Sequence, residues 1–155
     1  AIEIGMVLAV FLFMHKMTEY SKVSLLSNDN KDRDKDEIDN YSILSDVDVF
    51  EITGPLFFGA AYKFKDAMKF IEKPAKVLII RMRQVPFIDA TGIRTIEEVF
   101  KDAKQRGTTV ILSEANSVQV MFELKGAGLL SEIGQSNITE NFKEAIERSN
   151  TILRM

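Results

Sequence analysis

Residues 76–113 of the chain read KVLIIRMRQVPFIDATGIRTIEEVFKDAKQRGTTVILS, two strand patterns with a helix pattern between them. Residues 76–82 are an apolar, branched run that predicts a buried central strand. The next apolar residues recur at three- and four-residue spacing, which predicts an amphipathic helix: Ile93, Ile96, Val99, Phe100 and Ala103. Gly107 stands where the C-cap of this helix is expected, and residues 108–113 (TTVILS) predict the following strand.

The same alternation continues before this unit. Residues 47–53 (VDVFEIT) alternate apolar and polar side chains, as in a strand with one buried face, and Gly54 and Pro55 interrupt the pattern. A helix that stops before Pro74 is predicted from the spacing of its apolar residues: Phe57, Ala60, Ala61, Phe64, Ala67, Met68 and Ile71. The pairs Phe57–Phe58 and Phe87–Ile88 are expected mostly in the core, and any member left exposed would offer a docking patch.

Helical patterns follow the last predicted strand. Asn116 or Ser117 can cap a helix that ends near Gly126. Asn137, with Glu140 three residues later, resembles the capping pair of a final helix. The order β-α-β-α-β-α-α indicates an α/β layer of largely parallel strands, and such sheets place binding loops at the carboxyl ends of their strands.

Composition narrows the function classes. The chain has 155 residues, of which 46% are hydrophobic and 28% charged, as in one globular domain. A net charge of −3 gives no electrostatic reason to expect a nucleic-acid partner. The absence of cysteine excludes disulfides, thiolate metal sites and a cysteine nucleophile, and the single histidine, His15, excludes multi-histidine zinc sites. No catalytic residue, metal site or cofactor is therefore expected, and an enzyme is the class least favoured.

The first residues differ from the rest of the chain. Residues 4–14 (IGMVLAVFLFM) carry no charge, and as a helix they extend about 16 Å, roughly half of a bilayer core. His15, Lys16 and Lys22 follow, as at the cytoplasmic end of a membrane helix. We expect residues 1–17 to be the C-terminal part of a transmembrane helix from a longer protein; the alternative is a buried core helix of a soluble domain.

A charged stretch comes next. Residues 28–40 (NDNKDRDKDEIDN) contain a single apolar residue, so residues 18–40 are predicted to be a solvated linker. Asp32, Asp34 and Asp36 have the alternating spacing of an EF-hand, but the glycine and the terminal glutamate of a calcium loop are missing.

The candidate functional loop is Asp89-Ala90-Thr91-Gly92, between a predicted strand and a predicted helix. A helix start attracts anions and phosphorylated side chains through its free N–H groups and its dipole. The alternative is that Asp89 and Thr91 only cap the helix while Gly92 only permits close packing. Neighbouring strand-end loops contribute a second set of candidates: Gly54, Pro55, Ser113, Asn116 and Ser117.

Two stretches together resemble a known family. Residues 49–64 (VFEITGPLFFGAAYKF) and 85–99 (VPFIDATGIRTIEEV) are similar to the STAS domain of bacterial SulP (sulfate permease) anion transporters. Residues 3–17 (EIGMVLAVFLFMHKM) resemble the end of the last membrane helix of that family. The resemblance implies a sheet of about four mostly parallel strands covered by helices, over residues 41–155.

The resemblance also implies a function and a location. The domain would lie on the cytoplasmic side of the inner (plasma) membrane, as the regulatory and assembly domain of a secondary transporter of sulfate, bicarbonate or related anions. Its partners would be the membrane domain of the same transporter, a second copy in a homodimer and a cytoplasmic protein such as acyl carrier protein.

Kinship with anti-sigma-factor antagonists leaves two alternatives open. In those proteins the serine directly after the loop aspartate is phosphorylated, whereas this chain has Ala90 there and keeps a hydroxyl only at Thr91. One alternative is thus a soluble phospho-switch module. The other is a weak nucleotide- or anion-binding domain, although the chain contains no P-loop pattern.

Overall fold

The computed structural model of the chain describes residues 2–25, 46–69 and 73–155. Within these ranges it has five strands: β1 Lys22–Leu25, β2 Val47–Thr53, β3 Val77–Gln84, β4 Thr109–Ser113 and β5 Ile138–Thr139. The helices are α1 Ile2–Tyr20, α2 Phe58–Lys69, α3 Ala90–Gln105, α4 Val118–Gly126, α5 Leu129–Ile133 and α6 Phe142–Leu153, with a 3₁₀ turn at Gln135–Asn137. The predicted α/β class is confirmed.

The strands form one sheet in the order β1-β2-β3-β4-β5. The pairs from β2 to β5 are parallel, and β1 runs antiparallel to β2. The central strand β3 is buried on both faces, as its continuous apolar run predicts. Leu78 and Ile80 face the core under α2, α3, α4 and α5, whereas Val77 and Ile79 face the core under α6.

The sheet has one strand more than the resemblance implied, and β1 lies inside the segment expected to be a linker. Helix α1 continues to Tyr20, and Lys22–Leu25 pairs with β2 through the register Lys22↔Thr53 to Leu25↔Phe50. Residues 18–25 therefore belong to a helix and to the sheet. The rest of the expected linker, 26–40, lies outside the described residues, as does the aspartate series considered for calcium.

The prediction that Asn137 and Glu140 cap the last helix is wrong. Ile138 and Thr139 pair with Leu112 and Ser113 of β4, so the backbone between the two predicted partners is extended. The same Asn-x-x-Glu spacing recurs four residues later and supplies the cap, because Asn141 Oδ1 accepts a hydrogen bond of 2.9 Å from the Glu144 amide.

Helix α1 stands apart from the cores. The described apolar side chains of its first fourteen residues are exposed on all sides, from Ile2 at 84% to Met14 at 37%. Among the helices that the structure describes, none combines the length and the apolar character needed to cross a membrane. The assignment of residues 1–17 to the end of a membrane helix stays a prediction.

A buried cation ties the strands together on the α6 side. Arg81 of β3 is 2% exposed, and its Nε lies 2.6 Å from Glu114 Oε2, directly after β4. Its guanidinium also lies over the Phe142 ring, 4.3 Å from the centroid, and 3.9 Å from Glu51 of β2. Since a buried charge is costly without partners, these contacts fix β2, β4 and α6 against β3.

Replacing Arg81 with methionine should strongly destabilise the fold. Glu114 would remain buried without its cation, and we expect the free energy of unfolding to fall by about 3–5 kcal/mol. Equilibrium urea unfolding followed by circular dichroism measures the loss. Arg83→Met is the matched control: this arginine is one-third exposed and lies 3.6 Å from Glu51, so about 1 kcal/mol or less should be lost. Equal losses would contradict the assigned role of Arg81.

Candidate functional site

The candidate loops meet at the carboxyl edge of the sheet, the edge at which β2, β3 and β4 end. Asp89 is the N-cap of α3, and its Oδ1 accepts a hydrogen bond of 2.8 Å from the Gly92 amide. The predicted capping role of Asp89 is thereby confirmed. Ala90 is exposed at the first position of the helix, and Thr91 is half-buried behind it.

The chain after β2 holds this helix start in place. Leu56 forms a parallel bridge with Ile88, in which the Leu56 amide donates to Phe87 O and the Asp89 amide donates to Leu56 O. Gly92 packs against this bridge so closely that a Cβ would collide with Leu56 O and lie 2.6 Å from Ile88 Cγ1. Glycine is therefore required here by the close approach of two backbones.

Gly54 and Pro55 form the turn that leads into this bridge. Gly54 has φ +88°, in the left-handed region that favours glycine, and its amide donates to Gln84 O at 2.9 Å. Ser21, immediately after α1, is buried and donates from Oγ to Pro55 O at 2.9 Å. Lys63 Nζ of α2 reaches Ser21 O at 3.4 Å. The C-terminal end of α1 is thus attached to the carboxyl edge.

The segment after β4 is hydrogen-bonded to the loop after β3 through two side chains, those of Ser117 and Gln119. Ser117 Oγ donates to Pro86 O at 2.6 Å. The side-chain amide of Gln119 pairs with the backbone of Ile88: Oε1 accepts from Ile88 N and Nε2 donates to Ile88 O, each at 2.9 Å. Ser117 is also the N-cap of α4. Sequence reasoning missed Gln119, because a glutamine at the start of a helix has no pattern that reveals a partner 31 residues away.

The remaining candidates of this loop have different settings. Ser113 is fully buried on the α6 side of the sheet, next to Arg81 in the register of β3 and β4. Asn116 is exposed, and its amide donates to Glu114 O at 2.8 Å. Glu114 has φ +60°, a left-handed conformation unusual for a residue with a side chain, and it places the carboxylate on Arg81. Ser113 therefore does not share the exposed edge with Ala90 and Asn116.

A shallow groove runs beside the exposed start of α3, between α2 and α3. Tyr62, Lys65, Thr91, Arg94 and Glu98 are among its lining residues. Lys65 Nζ lies 2.6 Å from Glu98 Oε2, and Arg94 Nε lies 3.4 Å from Glu98 Oε1. The hydrogen bond with Lys65 lowers the pKa of Glu98 and raises the pKa of Lys65. Lys65 and Glu98 are both charged at neutral pH, and Arg94 adds a second cation, so the charged residues that line the groove have a net charge of +1.

Two aromatic side chains expected in the core lie at the surface of the same edge. Phe57 and Phe87 stack with ring centroids 5.6 Å apart and an interplanar angle of 16°. Phe87 is 39% exposed and Phe57 is half-buried, whereas Ile88 is buried as predicted. The prediction is therefore wrong for Phe87, because the stack and the bridge at Leu56 bury only one side of its ring.

The side chains that the structure describes at this edge form a surface of mixed polarity. Within the parts of the chain that the structure describes, no three His, Cys, Asp or Glu side chains are grouped so as to share a metal ion. The edge offers exposed Ala90, half-buried Thr91, the Phe57–Phe87 stack and exposed Asn116. A rigid surface of mixed polarity such as this suits recognition of another macromolecule.

Comparison with known proteins places these features in a family. The family model described as the STAS domain matches residues 40–145. A sulfate transporter family protein from Wolinella succinogenes is 31% identical, with a TM-score of 0.72 over 79% of this chain and 99% of that one. The STAS domain of a SulP transporter from Vibrio cholerae is 34% identical, with a TM-score of 0.64 over 73% of this chain and 88% of that one. No curated protein matches significantly.

Two more distant likenesses concern the fold alone. The murine anion transporter Slc26a9 is 16% identical with a TM-score of 0.74, and the match covers 97% of this chain and 25% of that one. An anti-sigma-factor antagonist from Thermotoga maritima is 23% identical with a TM-score of 0.60, over 71% of this chain and 92% of that one. The same fold thus occurs both in transporters and in anti-sigma-factor antagonists.

Gly92 gives a direct test of the packing at the site. Gly92→Ala should lower the free energy of unfolding by about 1–3 kcal/mol, because α3 must move away from Leu56 to admit the methyl group. Gly126→Ala is the matched control, since a Cβ there meets nothing within 4 Å at the end of α4, and a gain of up to about 1 kcal/mol is expected. Urea unfolding of both variants decides; a Gly92→Ala chain as stable as the control would refute the close approach.

Proposed function

The chain belongs to the STAS domain family, and on that premise we propose that it is the regulatory and assembly domain of a SulP-type secondary anion transporter. It acts by contact between proteins and performs no catalysis. The transported anion is sulfate, bicarbonate or a related anion, and its binding site lies in the membrane domain. The partner is that membrane domain, in a transporter that assembles as a homodimer.

One observation carries this proposal: the apolar helix α1 is attached to the same edge of the sheet as the Asp89 loop. Ser21 and Pro55 are hydrogen-bonded, and Leu56, the next residue, pairs with the loop that begins α3. A membrane domain that precedes α1 in the chain would therefore face this edge rather than the opposite edge, at which β2, β3 and β4 begin. The exposed apolar surface of α1 supports an apolar environment for that helix.

The likeness to transporters supports the same conclusion. The bacterial structures similar to this chain at 31% and 34% identity are a sulfate transporter family protein and a SulP transporter STAS domain. The likeness in fold to Slc26a9 extends over 97% of the chain, a share too large to leave out α1. We accordingly place the chain at the inner (plasma) membrane, with residues 41–155 on the cytoplasmic side and residues 1–17 at the end of a membrane helix. The exposed groove between α2 and α3 is the surface that we assign to a cytoplasmic partner such as acyl carrier protein.

Two charge insertions on one helix test the proposal in the full transporter. Ala90 at the start of α3 and Gln105 at its end are both exposed. Ala90→Arg places a cation on the edge that faces the membrane domain, and we expect uptake of labelled sulfate or bicarbonate to fall severalfold with the transporter still present in the membrane. Gln105→Arg adds the same charge at the opposite end of the helix and should leave uptake unchanged.

Removal of residues 41–155 is the complementary experiment. We expect it to impair delivery to the membrane, stability or transport of the full protein. Unchanged uptake after this deletion, or equal effects of the two arginine variants, would refute the regulatory role.

The fold of the anti-sigma-factor antagonists favours one alternative, a phospho-switch at Thr91. Thr91 offers a half-buried hydroxyl at the start of α3, where the helix dipole would stabilise a phosphate. Incubation with ATP and candidate kinases, followed by intact-mass measurement, tests it with Thr91→Ala as the control. A mass increase of one phosphate that the control lacks would support the switch, and an unchanged mass would leave the contact role alone.

A further inference from the structure

The length of α1 sets the distance between the carboxyl edge and any bilayer that receives this helix. The uncharged run ends at Met14, and Tyr20, the last residue of α1, follows six residues later. Six helical residues extend about 9 Å, and the headgroup layer on each side of a bilayer is about 5–8 Å thick. With Met14 at the hydrocarbon boundary, Tyr20 and the edge attached to it therefore lie at the outer limit of the headgroups.

Cations surround this attachment point. Lys16 is exposed one turn before Tyr20, and Lys22 is exposed at the start of β1. Lys63 Nζ reaches Ser21 O at 3.4 Å from α2. We call residues 16–22 together with Lys63 the junction. Glu19 is its one acidic residue, against Lys16, Lys22 and Lys63, so the junction has a net positive charge. Such a cluster is complementary to anionic lipid headgroups.

Apolar side chains continue the surface away from the lysines. Phe57 follows Pro55 by two residues and stacks on Phe87, which is 39% exposed. Val118, 87% exposed, lies between Ser117 and Gln119, the two residues bound to the loop that carries Phe87. Aromatic and apolar side chains at headgroup depth add apolar contact to the electrostatic attraction.

We propose that five side chains of this edge, Lys22, Lys63, Phe57, Phe87 and Val118, rest on the surface of an anionic lipid bilayer, while the start of α3 at Ala90 faces the membrane domain. The inference builds on the proposed function, because it requires α1 to enter the membrane. The positive charge of the junction favours lipid headgroups over a protein surface as the occupant. Contact with lipid would fix the orientation of the domain beneath the membrane by a second attachment, besides α1.

The chain contains no tryptophan, so single tryptophans can report on the contact. Phe87→Trp keeps the aromatic stack, Phe11→Trp reports on α1, and Met155→Trp is the control. Met155 is 98% exposed and follows the end of α6. This helix begins at Phe142, just after β5 ends at the carboxyl edge, and its twelve residues extend about 18 Å from that start, so Met155 is a reporter outside the proposed contact. The full 155-residue chain is reconstituted into phosphatidylcholine vesicles with about one-third phosphatidylglycerol. Quenching is compared for lipids brominated near the headgroup and near the ends of the acyl chains.

Lipid contact predicts that headgroup-proximal bromines quench the tryptophan at position 87 at least about twofold more than the one at 155, with a blue shift of its emission. The double variant Lys22→Glu and Lys63→Glu, or vesicles of phosphatidylcholine alone, should reduce this difference. Equal quenching at 87 and 155 would overturn the proposal, and it would point to the protein part of the transporter as the occupant.

The tryptophan at position 11 separates this failure from that of the proposed function. Position 11 lies three helical residues, about 4.5 Å, inside the boundary set by Met14. Strong quenching there by bromines near the headgroup, with none at 87 beyond the control, would overturn only the lipid contact. Absence of quenching at both positions would overturn the lipid contact together with the membrane placement of α1.

Discussion

The burial of one guanidinium governs how the carboxyl edge of this domain is built. Arg81 lies in the middle of the sheet, where a charge without partners would cost more than the fold can supply. Glu114 satisfies it only because its backbone adopts φ +60°, which turns the chain sharply at the end of β4. After this turn, Ser117 lies within hydrogen-bonding distance of Pro86, and Gln119 is hydrogen-bonded to Ile88. These contacts fix the backbone immediately before Asp89. An ion pair on one face of the sheet thus positions the candidate loop on its edge.

Periodicity could predict the three long strands and the helices between them, because each buries a continuous face. It could not predict β5, since two residues form no pattern, nor β1, whose four residues are mostly exposed and become a strand only by pairing with β2. The start of α6 could not be predicted for the same reason. Strand β5 keeps the chain extended beyond Asn137, so the helix is capped by the second Asn-x-x-Glu pair, Asn141 and Glu144.

The candidate site divides in the same way between local and distant causes. Asp89 as a cap follows from its position before a helix pattern, and the capping bond to Gly92 is local. Close packing at Gly92 could be predicted only as an alternative to an anion-binding role of the loop, because it depends on Leu56, 36 residues earlier in the chain. Arg81 stands in an apolar run in which a charge gives no sign of its partners, and Gln119 has no local pattern at all. Tertiary contacts, rather than propensity, therefore decide the residues that shape the edge.

The proposed contact role agrees with Ala90, which carries no hydroxyl that could be phosphorylated. In that role, recognition at this position would depend on shape and on fixed charge. The loop suits this role because three contacts fix its backbone: the β-bridge between Leu56 and Ile88, the hydrogen bonds of Gln119 with Ile88, and the capping bond of Asp89. Ser21 joins the end of α1 to Pro55, next to Leu56, so a displacement of α1 bears directly on the residue that α3 packs against. The proposed function would require this stiffness, since a loop that yielded locally would absorb the displacement before it reached α3.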